Sequence, residues 1–132
     1  MEKTLGLIKP CAVSKGLDSE IFEKIKESGL RVVSTKRLKM TDEIATEFYA
    51  EHREKGFFGV LKDFMTSGEI VAFIIEGEDV VLRYRKLMGA TNPADAEDGT
   101  LRKMYAESLD HNAVHGSDST TSAQREISII FG

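Results

Sequence analysis

Ile70-Val71-Ala72-Phe73-Ile74-Ile75 is the most apolar run in the chain, and it is too short to be a membrane span. Six residues rich in β-branched and aromatic side chains, apolar at every position, read as a central strand covered on both faces. Thr4-Leu5-Gly6-Leu7-Ile8-Lys9 has the same character and reads as a second buried strand, ended by Pro10. Leu30 to Met40 differs: Leu30, Val32, Leu38 and Met40 alternate with basic residues, the pattern of a half-exposed strand.

Helical signals fill the gaps between these strands. Asp18 or Ser19 can cap a helix that turns Ile21, Phe22 and Ile25 inward, with Gly29 ending it. Thr41 can cap another over Thr41 to about Arg53, with Asp42 and Glu43 in its first turn, and a further helix follows near Gly59 to Thr66. Glu78 to Met88 places Val81, Tyr84 and Met88 at helical spacing. The stretch from Gly89 to about Asn112 is long and irregular, with room for one short helix; such loops are usually functional or disordered. Ala113-Val114-His115 reads as a last short strand. Ser119 can cap a final helix whose Ala123, Ile127 and Ile130 share a face. The order reduces to βαββαβ, an α+β ferredoxin-like sandwich: a four-stranded antiparallel sheet covered by helices, in one domain over residues 1–132. That architecture hosts many functions and decides none.

Composition narrows the field. With 132 residues, 41% hydrophobic and 30% charged, the chain suits one globular domain. Its 18 basic and 22 acidic residues give a net charge of −4, which argues against a dedicated nucleic-acid binder but leaves room for a local cationic cluster on small anions. The start of the chain lacks the apolar stretch of a secretory signal, and one cysteine, Cys11, cannot form an internal disulfide. A cytoplasmic protein is expected.

Chemistry concentrates in Asn112-Ala113-Val114-His115-Gly116-Ser117-Asp118. A neutral imidazole is a competent nucleophile near neutral pH, its ordinary pKa being about 6.5. Attack on a phosphoryl group would give a phosphohistidine able to pass that group on. Gly116, lacking a side chain, would let backbone and substrate approach closely. A lone histidine would favour a core or metal-ligand role, but no cysteine partner accompanies it. His52 and His111 read as surface residues.

The segment resembles the active-site signature of nucleoside diphosphate kinases. The resemblance extends, in the family's order and spacing, through Ile8-Lys9-Pro10, Phe48-Tyr49-Ala50, Gly56-Phe57-Phe58, Met65-Thr66-Ser67-Gly68, Glu76-Gly77, Gly89-Ala90-Thr91-Asn92-Pro93-Ala94-Asp95 and Gly99-Thr100-Leu101-Arg102. Phe64 to Gly68 and Ala106 to Leu109 resemble the bacterial branch.

The resemblance implies ping-pong transfer of a γ-phosphoryl group through Nδ1 of His115, with Glu126 on the other ring nitrogen and Ser117 steadying Glu126. It implies that Lys9, Tyr49, Arg85, Thr91, Arg102 and Asn112 line the nucleotide site. Arg85, Arg102 and Thr91 would take the terminal phosphates, Lys9 and Tyr49 would act near the transferred group, and Lys9 and Asn112 would bond the sugar. Phe57 would stack on the base and Leu61 would pack beside it. Mg²⁺ would arrive on the nucleotide, with Asp118 touching it through water. ATP is the implied donor, and a homo-oligomer, tetramer or hexamer, is implied, with no membrane and no specific nucleic acid as partner. Cys11-Ala12, Gly56 and Lys103-Met104 depart from the family's usual residues without removing a catalytic group. The alternative is a nucleotide-binding regulatory protein without turnover.

Overall fold

The structure is a computed structural model and describes residues 2–50 and 55–132. Four strands, β1 (Glu2–Ile8), β2 (Arg31–Lys39), β3 (Glu69–Gly77) and β4 (Val114–Gly116), form one sheet in the order β2-β3-β1-β4. Every adjacent pair is antiparallel. The helices are α1 (Pro10–Val13), α2 (Asp18–Glu27), α3 (Asp42–Phe48), α4 (Phe58–Met65), α5 (Val80–Met88), α6 (Leu101–Tyr105) and α7 (Thr120–Phe131), with a 3-10 turn at Pro93–Asp95. This is the expected ferredoxin-like sandwich.

The sheet is covered on both faces, which is why β1 and β3 are apolar at successive positions. On one face Ile8, Val71, Phe73 and Ile75 pack with Ile21 and Ile25 of α2, Val80, Tyr84 and Met88 of α5, and Leu101 of α6. On the other, Leu5, Leu7, Ile70 and Ala72 pack with Ala45 and Phe48 of α3, Met65 of α4 and Ile130 of α7.

The edge strand β2 corrects the simple alternation. Val32 pairs with Ile75 but Ser34 pairs with Ile74, so Val33 is an extra residue. A one-residue insertion reverses which face later residues point to. Leu30 and Val32 therefore pack with the α2–α5 layer, and Leu38 and Met40 with the α3–α7 layer.

Other boundaries shift for local reasons. Pro10 does more than stop β1: it opens the short helix α1, where its fixed φ and missing N–H suit the first helical position. The helix begun by Thr41, whose hydroxyl accepts from Ile44 N at 3.1 Å, ends at Phe48. Arg53 and His52 lie outside the described residues. The Gly89–Asn112 stretch holds both the 3-10 turn and α6, the latter capped by Thr100. The last strand runs one residue later than expected, Val114 to Gly116.

Candidate functional site

The alternation of β4 splits the signature between the two layers. His115 pairs with Leu7 and so faces the α3–α7 side, while Val114 packs in the α2–α5 layer. Gly116 faces α5: a Cβ there would lie 2.6 Å from Met88 Cε and 2.8 Å from Tyr84 Cδ2. The glycine thus admits the helix behind the strand, and it also lines the cleft beside His115.

Above β4, α7 supplies the histidine's partner. Its N-cap is Ser119, whose hydroxyl accepts from Ser122 N at 3.1 Å. One face of α7 buries Ala123, Glu126 and Ile130. Glu126 Oε1 lies 2.8 Å from His115 Nε2 and accepts from Ser117 Oγ at 2.9 Å. Ser117 is fully buried, and its Oγ accepts from Leu5 N at 3.3 Å. The chain β1–Ser117–Glu126–His115 fixes the ring and leaves Nδ1 as the nitrogen not engaged by the carboxylate. From α3, Phe48 presents its ring to His115 edge-on, with centroids 5.3 Å apart.

Backbone strain sits beside the nucleophile. Ala113 has φ +71°, and Val114 N bonds Asn112 O across it at 2.8 Å, a tight three-residue turn that a side chain seldom adopts. Lys9 N is bonded to Ala113 O at 2.8 Å. The turn places the Asn112 side chain over the end of β1, where its Oδ1 accepts from Lys9 Nζ at 2.8 Å. Burial, and then the Arg102 guanidinium, lower the Lys9 pKa to about 8. Burial and, second, the Glu126 carboxylate push the Tyr49 phenol up.

These groups line a cleft of about 330 Å³ whose walls include Lys9, Tyr49, Arg85, Thr91, Arg102, Asn112, His115, Asp118, Arg125 and Glu126. Four cationic side chains face two carboxylates there, so the cleft attracts anions although the chain is acidic. Arg102 is buried and donates to Gly89 O at 3.0 Å and Val114 O at 2.9 Å, tying β4 to the loop after α5. Arg85, on α5, donates to Asp118 Oδ1 at 2.6 Å at the exposed rim.

Phe57 and Leu61 do not line this cleft. Phe57 stands half exposed before α4, with Lys55 Nζ 5.7 Å from its ring centroid, and Leu61 is partly buried in the α3–α7 layer. Phe58 takes the core position expected of it. His111 is exposed, as expected, but stacks on Phe64 at 4.4 Å. Sequence reasoning gave no role to Arg125 and none of its own to Phe48. Nothing in the spacing of α7 marks Arg125, because its hydrogen bonds go to backbone carbonyls.

A carboxylate-backed histidine in a cation-lined cleft, carried by a ferredoxin-like sheet, defines a protein of the phosphotransferase class. The family model described as nucleoside diphosphate kinase matches residues 2–132. Among solved structures, the nucleoside diphosphate kinase of Aquifex aeolicus is 39% identical with a TM-score of 0.96, over 99% of this chain and 95% of that one. The enzyme of Encephalitozoon cuniculi is 36% identical with a TM-score of 0.96, over 100% and 90%. A halophilic enzyme from Halobacterium salinarum, solved in complex with CDP, is 41% identical with a TM-score of 0.94, over 98% and 87%. The chain belongs to the nucleoside diphosphate kinase family, and its activity is phosphotransfer between nucleotides.

Proposed function

We propose that the chain transfers the γ-phosphoryl group of a nucleoside triphosphate to a nucleoside diphosphate through a phosphohistidine at Nδ1 of His115. The observation that carries this reading is the 2.8 Å contact of His115 Nε2 with buried Glu126 inside a cation-lined cleft. It orients the ring and stabilises positive charge on it as Nδ1 attacks. The Nδ1–P bond forms as the bond from the γ-phosphorus to the bridging oxygen breaks, and the diphosphate leaves. A second diphosphate then enters the same cleft, and its terminal oxygen takes the phosphoryl group from the ring.

Lys9, Arg85, Arg102 and Thr91 surround the space for the phosphates. Preorganised cations there offset charge on the transferring oxygens without reorganising at the moment of reaction. Lys9 and Asn112, joined at 2.8 Å, present one donor pair to the sugar and the phosphates. Tyr49 acts beside the reacting group, and Ser117 steadies Glu126. Phe57 and Leu61 offer the base an apolar platform outside the phosphate cleft, which is tolerant of base identity.

Among the described residues no group of three His, Cys, Asp or Glu could hold a metal. Mg²⁺ would be carried by the nucleotide's own phosphates, with Asp118 at the cleft meeting it through water. The ion would supply further neutralisation of phosphate charge. ATP as donor, a homo-oligomer as tetramer or hexamer, and a cytoplasmic setting complete the proposal. No helix among the described residues is long and apolar enough to cross a membrane.

The test is to incubate the protein with ATP and Mg²⁺, without acceptor, and follow its intact mass. One acid-labile phosphoryl group should appear, be discharged by GDP as GTP, and be absent in His115→Ala. Nucleotide binding with no adduct would instead support a regulatory protein without turnover.

A further inference from the structure

The C-terminal end of α3 forms one wall of the cleft, and it needs a partner. The last carbonyls of a helix have no acceptor role within it and are satisfied by side chains, water or a cap. Among the described residues, two of those carbonyls in α3 are met by a side chain from a distant part of the chain. Arg125, on α7, donates from Nη1 to Glu47 O and from Nη2 to Phe48 O, both at 3.0 Å. A planar guanidinium presents two N–H groups to consecutive carbonyls in one fixed fork, whereas an ammonium is a compact donor on a flexible stem.

Its neighbours give this clamp its significance. Arg125 immediately precedes Glu126, the residue that holds His115 Nε2. Phe48, whose carbonyl it grips, sets its ring edge-on to the His115 imidazole, and Tyr49 follows at the cleft wall. A single turn of α7 therefore carries both the carboxylate that orients the nucleophile and the guanidinium that seats the aromatic wall against it. α3 is short, seven residues, and buries only Ala45 and Phe48 fully. Without Arg125 its last turn would keep its fold but lose the tie that sets its distance from the ring.

We propose that Arg125 is a positioning residue for phosphoryl transfer: it fixes the Phe48–Tyr49 wall, and through it the free face of the His115 ring, without touching substrate. The inference rests on the His115 reading above. It predicts a split between binding and chemistry. Lys9, Arg85 and Arg102 are untouched in Arg125→Ala, and Arg125 spends both its Nη groups on the α3 carbonyls, so ATP affinity should fall several-fold less than the rate. The single-turnover rate at which the protein takes up the phosphoryl group should fall by about 10- to 100-fold, the scale of a lost positioning contact.

The experiment follows the intact mass of the wild type, Arg125→Ala and Arg125→Lys after mixing with ATP and Mg²⁺, alongside ATP binding by calorimetry. Guanidinium ion at a non-denaturing concentration should restore much of the Arg125→Ala rate, whereas methylammonium or sodium chloride at equal ionic strength should not. Arg125→Lys keeps the charge and the packing stem and should still charge slowly, because it loses the two-carbonyl fork. Charging of Arg125→Ala within twofold of the wild-type rate would overturn the inference. So would a loss of ATP affinity equal to the loss of rate, which would make Arg125 a direct phosphate ligand. Should Arg125→Ala not fold, Arg125→Lys decides alone, with a wild-type rate counting against the inference. A wild type that never charges would sink the His115 reading itself, and this inference with it.

Discussion

Lys9 is the residue at which folding and function pull hardest against each other. Burial holds its pKa at about 8 rather than the ordinary 10.5. The folded chain therefore loses this proton first, and between about pH 8 and 10.5 the unfolded chain binds more protons. Stability from this group rises with pH across that window, and the charged ammonium costs stability below it. Lys9→Met should remove the rise, which denaturant midpoints for wild type and variant at pH 7.5 and 9.5 would reveal; equal pH dependence in both would refute it. A bound polyphosphate favours the ammonium, so at pH 8.5 nucleotide binding should take up a proton. Calorimetry in buffers of different ionisation enthalpy measures that uptake, and Lys9→Met should lose it. The same variant should accept phosphoryl from ATP about 100-fold more slowly, in line with loss of one preorganised charge. Gly116→Ala tests a different property of the site. Its methyl would meet Tyr84 and Met88, so we expect overpacking of about 1–3 kcal/mol and a displaced β4. Unchanged stability and activity would show that α5 has room to yield.

At the scale of the element, helices whose caps are local were legible and those set by distant contacts were not. Thr41, Ser119 and the apolar spacing of α2, α5 and α7 announce themselves in the chain, because capping and amphipathicity are short-range. Ser119→Ala should cost about 1 kcal/mol through the lost bond to Ser122 N, read as a lowered melting temperature. A melting temperature equal to wild type would mean that another group satisfies that N–H. Helix α1 was missed because Pro10 signals both an ending and a beginning, and only the fold selects between them. In the candidate site, the spacing of Glu126 to Ala123 and Ile130 permits an inward place without selecting it, and its role came from resemblance. The roles of Lys9, Asn112 and Arg85 came from resemblance, since isolated polar residues carry no periodic signal. Arg125 was invisible for a plainer reason: its hydrogen bonds go to main-chain carbonyls some 77 and 78 positions away, which no side-chain pattern encodes.

At the scale of the whole molecule, one sheet serves two cores, so neither layer has a stable existence apart from the other. Phe73 lies fully buried, edge-on to both Phe22 and Tyr84, with its ring against Gly6 of the neighbouring strand. Phe73→Ala should cost about 3–5 kcal/mol. Tyr84 belongs to one layer and Tyr49 to the other, so at a fixed protein concentration tyrosine fluorescence and far-ultraviolet circular dichroism should report a single unfolding transition. Two separated transitions would show that the layers come apart independently. The extra residue at Val33 gives the edge strand β2 a further property. It joins two half-strands of opposite parity, each answering to its own layer. Substitutions can therefore accumulate at Leu30 and Val32 under the demands of one core while Leu38 and Met40 follow the other. A single deletion at the join would set every residue on one side of it facing the wrong way.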